Sequence, residues 1–165
     1  MEERERWINH QGWSCTFSYS ANKAILHSYS HSALPSDAFQ KYQRATGGTP
    51  DEVTGLLKIT PAQYNNLKPL VFTIGANTYS LNPNAQIFPR SLNTHVGGTG
   101  DGIYLIVADS GAPSGKGLDF VNGYSFLQRF YSVYGGTSGN AHVGLAVTAV
   151  SRWMLCLFSH WFHLK

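Results

Sequence analysis

Residues 70–81 carry the pattern that decides the fold, Leu70-Val71-Phe72-Thr73-Ile74-Gly75-Ala76-Asn77-Thr78-Tyr79-Ser80-Leu81. Two runs rich in β-branched and aromatic residues flank a short Gly75-Ala76-Asn77 turn, and this arrangement is typical of a β-hairpin. A further strand is expected over Ile103-Tyr104-Leu105-Ile106-Val107, because an unbroken apolar run of this length is typical of a strand buried on both faces. These two segments predict a chain dominated by strands.

Short helices and turns separate the expected strands. Ser36 lies where a helix N-cap is expected, with Asp37 in the first turn, and the helical period that follows ends at Gly47-Gly48. A helical turn is expected from Pro61, because proline is favoured at the first helical position. Further strands are expected over residues 56–60, 85–88, 118–121, 131–134 and 142–147, and another helical turn over residues 125–130. Short strands with two or three short helices indicate a mostly-β domain.

The composition is that of one folded domain. The 165 residues include nine Phe, nine Tyr and four Trp, and 42% of the chain is hydrophobic, which can supply a core. The net charge of +3 is too small, and its Lys and Arg residues are too scattered, for a nucleic-acid partner. Six aromatic residues cluster in one segment, and we expect core packing rather than base stacking of Phe120, Tyr124, Phe126, Phe130, Tyr131 and Tyr134.

Residues that could bind a metal or cross a membrane form no recognisable pattern. Cys15 and Cys156 stand near opposite ends of the chain and lack the spacing of a disulfide framework or a metal site. The His residues of the flanks follow no ligand spacing either, so we expect no metal and no cofactor. The apolar stretch 153–162 is shorter than the about 20 residues that span a bilayer, so we expect no membrane partner. The N-terminus lacks the features of a signal peptide.

Asp109-Ser110-Gly111 follows an apolar strand and is a candidate catalytic turn. An Asp followed by Ser or Thr and then Gly suits an aspartic protease, because the glycine lets the backbone turn beneath the carboxyl and the hydroxyl can hydrogen-bond it. Two such carboxyls about 3 Å apart share one proton and activate a water molecule. The same tripeptide is more often found in an ordinary β-turn at the end of a strand. Both interpretations stay open at this point.

An ordered series of segments carries a family resemblance through residues 33–149. The segments are Leu34-Pro35-Ser36-Asp37-Ala38-Phe39, Gly55-Leu56-Leu57-Lys58-Ile59-Thr60, Leu70-Val71-Phe72-Thr73-Ile74-Gly75, Tyr79-Ser80-Leu81-Asn82-Pro83-Asn84-Ala85, Gly123-Tyr124-Ser125-Phe126-Leu127-Gln128-Arg129-Phe130-Tyr131-Ser132-Val133-Tyr134 and His142-Val143-Gly144-Leu145-Ala146. In this order they resemble the C-terminal lobe of pepsin-like aspartic proteases, most closely the secreted fungal type. The resemblance implies one lobe of the pepsin-like double-lobed β fold.

The resemblance also implies where the catalytic group of this lobe should stand. Each lobe of the family supplies one Asp, in an Asp-Thr-Gly or Asp-Ser-Gly motif shortly before the position matched here by Pro35. That register falls near Leu26, in a stretch without any Asp from Glu5 to Asp37. We therefore expect no catalytic carboxyl at the family position. The resemblance places Asp109 well after the catalytic turn, so that Asp109 could act only in a homodimer of the retroviral type.

Two further positions are implied as substrate-binding residues. Leu34 and Val121 match family positions that line the cleft near the scissile bond. The alternative is that both are ordinary core residues, and the sequence leaves this choice open.

The two ends differ from the middle in composition. All four Trp and both Cys lie outside residues 34–149, and all seven Pro lie inside this range. We expect a non-family segment at residues 1–32, the protease lobe at residues 33–149 and an apolar non-family tail at residues 150–165. Such an arrangement is typical of a truncated or altered gene product.

Three functional hypotheses follow from these observations. The chain is a fragment of an aspartic endopeptidase that is inactive on its own, a homodimeric protease that uses Asp109, or a non-catalytic module that binds peptides or proteins. The expected partners are a polypeptide substrate or a partner protein, and self-association is expected because an isolated lobe leaves apolar surface bare. The family is secreted or vacuolar, whereas the location of this chain is left open.

Overall fold

The described residues, 25–26, 31–74, 77–115, 120–136 and 142–147, form eleven strands, three α-helices and two 3₁₀ helices in this computed structural model. The strands are β1 (Ile25–Leu26), β2 (Ser32–Leu34), β3 (Thr49–Pro50), β4 (Leu57–Ile59), β5 (Leu70–Ile74), β6 (Asn77–Leu81), β7 (Ile103–Leu105), β8 (Val107–Asp109), β9 (Val121–Asn122), β10 (Phe130–Gly135) and β11 (His142–Val147). The α-helices are α1 (Ser36–Thr46), α2 (Pro61–Asn65) and α3 (Tyr124–Leu127), and the 3₁₀ helices are Pro83–Gln86 and Arg90–Val96. The mostly-β prediction is therefore confirmed.

The strands of the described ranges are arranged in four small sheets. The largest has the order β1-β9-β2-β8, in which β2 runs parallel to β8 and antiparallel to β9, and β1 runs parallel to β9. A second sheet has the order β3-β4-β7 and is antiparallel throughout. The pairs β5-β6 and β10-β11 are separate antiparallel hairpins. This division brings segments from the beginning, the middle and the end of the lobe into the largest sheet.

The hairpin predicted over residues 70–81 is confirmed. Strands β5 and β6 pair in continuous register from Leu70 opposite Leu81 to Ile74 opposite Asn77. The turn residues 75–76 lie outside the described ranges. Phe72 and Tyr79 face each other in the ladder and are both buried, which places the inner face of the hairpin against the core.

Local residues explain where α1 ends and where α2 begins, but the predicted N-cap of α1 is wrong. Gly47 adopts the left-handed conformation at φ 68° and ends α1, as predicted. Helix α2 begins with a capping box, in which the Thr60 hydroxyl accepts from the Gln63 amide and the Gln63 side chain accepts from the Thr60 amide. The expectation that Ser36 caps α1 is wrong. Pro35 takes the N-cap position and Ser36 is the first helical residue, so its hydroxyl is turned to another partner.

Two predicted strands differ in the structure, one through hydrogen bonds to distant residues and one through a local cap. The run 103–107 is divided at Ile106, whose amide donates to the Gln86 carbonyl at 2.9 Å and whose carbonyl accepts from the Ser32 amide at 3.1 Å. Its two halves, β7 and β8, consequently belong to different sheets. The extended run expected over residues 85–88 is wrong at its start. Asn82 caps the 3₁₀ helix Pro83–Gln86 by accepting from the Ala85 amide at 2.9 Å, so the first two of these residues are helical.

Aromatic side chains between the hairpin and α3 form the centre of the core. The Phe126 ring lies 4.5 Å from that of Phe130 and 5.7 Å from that of Phe72, and Tyr79 meets Phe130 edge-on at 5.3 Å. The ring centroids of Phe72 and Phe120 lie 5.4 Å apart. The predicted core packing is thus confirmed for the three Phe residues of the aromatic segment. It is wrong for its three tyrosines, which are exposed: Tyr124, Tyr131 and Tyr134.

Within the part of the chain that the structure describes, no helix combines the length and the apolar character that a bilayer span requires.

Candidate functional site

The sheet β1-β9-β2-β8 brings together the three residues that the sequence singled out. Leu34 ends β2, Asp109 ends β8 and Val121 begins β9. Leu34 pairs with Asp109 in the parallel ladder, while Ala33 pairs with Val121 in the antiparallel one. Positions that lie far apart in the chain therefore meet in one sheet, which makes this sheet the candidate functional site.

Leu34 and Val121 differ in their exposure. The Leu34 side chain is completely buried and belongs to the hydrophobic core. Its backbone carbonyl accepts a hydrogen bond of 2.7 Å from the Ser110 amide, which ties the end of β2 to the loop after β8. Val121 is half-buried. Leu34 therefore packs in the core of this lobe, and a substrate contact by either residue stays a prediction.

Strand β1 lies at one end of this sheet, at the register that the resemblance assigns to the catalytic Asp. Ile25 pairs with Val121 and Leu26 pairs with Asn122. Residues 27–30 lie outside the described ranges, and their sequence contains no carboxylic acid. Leucine has no group that can ionise or activate water. The chain consequently offers no carboxyl at the implied catalytic position.

Asp109 takes part in a turn at the end of β8. Its Oδ1 accepts a hydrogen bond of 2.7 Å from the Ser36 hydroxyl and one of 2.8 Å from the Gly111 amide. The second bond closes an Asx-turn, in which a side-chain oxygen binds the backbone amide two residues further on. The side chain is exposed. This geometry is that of the strand-end turn that the sequence left open as the alternative to a catalytic turn.

A second carboxylate joins the same loop to the start of α1. Asp37 accepts from the Ser114 amide at 3.0 Å through Oδ1 and from the Ser114 hydroxyl at 2.9 Å through Oδ2. Burial by itself would raise the pKa of Asp37, but the two hydrogen bonds from Ser114 and the nearby Lys41 charge outweigh it and lower the pKa below its usual value. Ser36 adds a backbone bond of 2.9 Å to the Ala112 carbonyl. We call this set of bonds between residues 36–37 and 109–114 the loop–helix contact.

Three buried polar side chains lie in β2, β9 and α3. Asn122 is 1% exposed, and neither its Oδ1 nor its Nδ2 has a hydrogen-bond partner in the described structure. The antiparallel register of β2 and β9 places Ser32 opposite Asn122, and the Ser32 hydroxyl is likewise buried without a partner. The hydroxyl of Ser125, in α3, which packs against both strands, is a third such group. Unpaired polar atoms in a core are uncommon and costly.

Within the described residues, the carboxylates of this arrangement are held in structural hydrogen bonds. A dyad requires two carboxyls that share a proton. In the described part of the chain, the Asp109 carboxylate is instead engaged by a hydroxyl and an amide. Across the same residues, no group of three or more His, Cys, Asp or Glu side chains is placed so as to hold a metal ion.

The sequence did not predict the loop–helix contact, and it did not predict the buried, unpaired amide of Asn122. The bonds of Ser36 and Asp37 reach partners more than 70 positions away, and no local pattern announces them. Asn122 did carry a signal, because an amide side chain within an apolar strand segment is unusual. Its burial without a partner became visible only in the folded chain.

Comparison of the sequence with known protein families and known proteins identifies related proteins. Residues 9–148 match the sequence profile of the family described as eukaryotic aspartyl protease. The match begins before the boundary expected at residue 33, and that boundary stays a prediction. Polyporopepsin of Irpex lacteus is 57% identical over 116 residues, which make up 70% of this chain and 34% of that protein.

Solved structures give the same assignment at the level of the fold. The crystal structure of an aspartic proteinase from Irpex lacteus superimposes with a TM-score of 0.69 at 54% sequence identity, covering 73% of this chain and 35% of that one. The chain thus spans about a third of the length of the relatives that it matches. The prediction of a pepsin-like lobe of the fungal type is confirmed. By sequence and by fold, this chain belongs to the eukaryotic aspartyl protease family.

Proposed function

We propose that this chain represents one lobe of a pepsin-like aspartic endopeptidase and does not hydrolyse peptide bonds on its own. Hydrolysis in this family depends on two carboxyls that share one proton and activate a water molecule. The chain corresponds to about a third of a relative such as polyporopepsin and has leucine at the implied catalytic position. Polypeptide is the proposed partner class, and a secreted or vacuolar location is proposed from the family.

The observation that carries this proposal is the environment of Asp109. This residue stands in the one Asp-Ser-Gly sequence of the chain. Its Oδ1 receives two hydrogen bonds, of which the one from the Gly111 amide closes a turn and the one from the Ser36 hydroxyl fastens α1. A homodimeric protease would have to bring two copies of this turn-forming carboxylate into contact.

A proteolysis assay tests the proposal directly. The purified chain is incubated with haemoglobin or casein at acidic pH, about 3 to 5, where a carboxyl dyad of this class operates. Pepsin serves as the positive control, and parallel samples contain pepstatin. We expect no cleavage above the level of the buffer. Cleavage that pepstatin abolishes would overturn the proposal.

Two aspartate variants assign the source of any activity. Asp109→Asn removes the charge from the candidate turn, and Asp101→Asn removes a charge from an exposed glycine-rich loop as the matched control. Activity lost in Asp109→Asn and retained in Asp101→Asn would establish the homodimeric alternative. Activity retained in both variants would indicate a contaminating protease, which mass spectrometry of the preparation would identify.

A further inference from the structure

Three buried polar side chains around strands β2 and β9 have hydrogen-bonding atoms without protein partners. They are Ser32 in β2, Asn122 in β9 and Ser125 in α3, which are 1%, 1% and 8% exposed. Within the part of the chain that the structure describes, neither hydroxyl and neither amide atom of Asn122 forms a hydrogen bond. Such atoms are uncommon in folded proteins, and each of them requires an explanation. We call these three side chains the polar cluster.

The fold brings the members of the polar cluster together. Ala33 pairs with Val121 in the antiparallel ladder of β2 and β9, so Ser32 lies directly opposite Asn122. Residues that are directly opposite in such a ladder lie on the same face of the sheet, with their Cβ atoms about 4.5 to 5.5 Å apart. Helix α3 packs against both strands, and Ser125 is one of its buried residues. The third member of the cluster therefore adjoins the other two.

Apolar core residues adjoin the polar cluster. Leu34 lies two residues after Ser32, hence on the same face of β2, and is completely buried. Phe126 follows Ser125 in α3, is completely buried as well, and has its ring 4.5 Å from that of Phe130. These apolar side chains offer no hydrogen-bonding atom to the cluster. A partner for the cluster would therefore have to be a molecule that is enclosed together with it.

The other two buried amide side chains of the described ranges have protein partners. Nε2 of Gln86 donates to two backbone carbonyls, at 2.9 and 3.0 Å. Nδ2 of Asn93 also donates to two backbone carbonyls, at 2.9 and 2.8 Å. Each of these NH₂ groups thus has two acceptors, whereas that of Asn122 has none among the described residues. This difference is explained if the acceptor for Asn122 is not part of the chain.

The chemistry of the polar cluster favours a small and neutral occupant. The buried polar side chains of the described ranges are all Ser, Asn or Gln, and an ion enclosed without an opposite charge would be very costly. Two hydroxyls and one amide supply both donors and acceptors. A water molecule fits this set, because buried water typically makes about three hydrogen bonds to polar groups that lack other partners. An exposure of no more than 8% for any member leaves no opening for a larger ligand.

We propose that the polar cluster binds one buried water molecule, which bridges the Ser32 hydroxyl, the Asn122 amide and the Ser125 hydroxyl. The water joins β2, β9 and α3 through side chains that make no direct bond to one another in the described structure. The site does not depend on catalysis, so it stands independently of the function proposed above. The same groups bond to bulk water in the unfolded chain, so these bonds add little to the net stability of the fold. The bound water must therefore be counted directly.

Oxygen-17 magnetic relaxation dispersion of the full 165-residue chain counts the water molecules that stay bound for longer than the protein takes to tumble. Asn122→Leu replaces the amide by an apolar side chain of similar size, so the dispersion amplitude should fall by about one water molecule. Ser80→Ala removes a hydroxyl from an exposed position of β6 and serves as the matched control, with the amplitude unchanged. An amplitude that is equal in the wild type and in folded Asn122→Leu would overturn the proposal.

A second variant decides the question if Asn122→Leu does not fold, which circular dichroism establishes. Ser125→Ala removes a single oxygen atom from the polar cluster, so the fold should tolerate it. The dispersion amplitude should again fall, because a water molecule that keeps two of its three bonds is held less firmly. In that case a lower amplitude in Ser125→Ala, together with an unchanged amplitude in Ser80→Ala, supports the proposal. An amplitude that stays at the wild-type value in Ser125→Ala would overturn it.

A crystal structure of the chain locates the bound molecule. Electron density for one water oxygen is expected at hydrogen-bond distance, about 2.5 to 3.2 Å, from the Ser32 hydroxyl, the Ser125 hydroxyl and an amide atom of Asn122. Density at this position supports the proposal. Direct hydrogen bonds among the three side chains, without density between them, would overturn it, because the cluster would then satisfy itself.

Discussion

The Ser36 hydroxyl donates a hydrogen bond of 2.7 Å to Oδ1 of Asp109, and this bond joins the first turn of α1 to the end of β8. This hydrogen bond explains the roles of both residues, which their local sequence patterns did not predict. Ser36 does not cap its own helix, and Asp109 belongs to a turn that fastens that helix. The most protease-like tripeptide in the chain therefore has a structural role in this lobe.

We predict that Ser36 and Asp109 are energetically coupled. Ser36→Ala and Asp109→Asn should each lower the Tm by a few degrees, because the first removes the hydrogen bond to the carboxylate and the second weakens it by removing the charge of the acceptor. The double variant should lose less than the sum of the two single losses. Thermal unfolding of the four proteins followed by circular dichroism measures this coupling. Strictly additive losses would show that the bond does not form in solution.

A second prediction concerns the pH dependence of stability through Asp37. Because the pKa of Asp37 in the folded chain is lower than its usual value, its stabilising contribution is fully present above about pH 5 and is lost as the pH falls through the folded pKa. Urea unfolding of the wild type and of Asp37→Asn should therefore show a stability difference at neutral pH that shrinks below about pH 4. Asp101→Asn provides the control. A difference that stays constant down to about pH 2 would contradict the assignment.

The buried amides of Asn122 and Asn93 give a matched pair of substitutions. Asn93 is completely buried and donates through Nδ2 to the carbonyls of Thr99 at 2.9 Å and Gly102 at 2.8 Å. Asn93→Leu should lower the free energy of unfolding by about 2 to 4 kcal/mol, because it leaves two carbonyls unpaired. Asn122→Leu removes two unpaired atoms and should leave stability unchanged or raise it by up to about 1 kcal/mol. Denaturant unfolding of both variants makes the comparison, and equal losses would show that Asn122 is hydrogen-bonded in solution.

A fourth prediction concerns Gln86, which links α1 to the hairpin. Gln86 is completely buried, accepts from the Tyr42 hydroxyl at 2.9 Å and donates to the carbonyls of Lys68 at 2.9 Å and Leu81 at 3.0 Å. Gln86→Leu should lower the free energy of unfolding by about 3 kcal/mol or more, because two buried hydrogen bonds and one partly buried hydrogen bond are lost. Tyr42→Phe removes one of the three bonds and should cost about a third to a half as much.

The control for this prediction lies on α1. Gln40 is exposed, and Gln40→Leu should change the free energy of unfolding by less than about 0.5 kcal/mol, as surface substitutions usually do. Urea unfolding of the three variants measures the series. A loss in Gln86→Leu no larger than that in Gln40→Leu would rule out the proposed link.

Local elements could be predicted wherever neighbouring residues supply their own reason. Alternating β-branched and aromatic residues were enough for the hairpin β5-β6, and Gly47 was enough to end α1, because only glycine adopts the left-handed turn there at little cost. Pro61 marked the start of α2 in the same way. Family membership was equally accessible, since it rests on an ordered series of such segments.

The sequence by itself thus determined the local elements and the absence of a carboxyl at Leu26, whereas the tertiary structure alone decided how the polar residues are used. Ser36 and Asp109 find each other across 73 positions, and Ile106 divides a continuous apolar run because Gln86 and Ser32 bind its backbone. Hydrogen bonds require a partner at the right distance and direction, and a distant partner leaves no trace in local periodicity. Apolar patterning could therefore be read from the chain, but the roles of Asp109 and Asn122 emerged only when the sheet brought their neighbours into place.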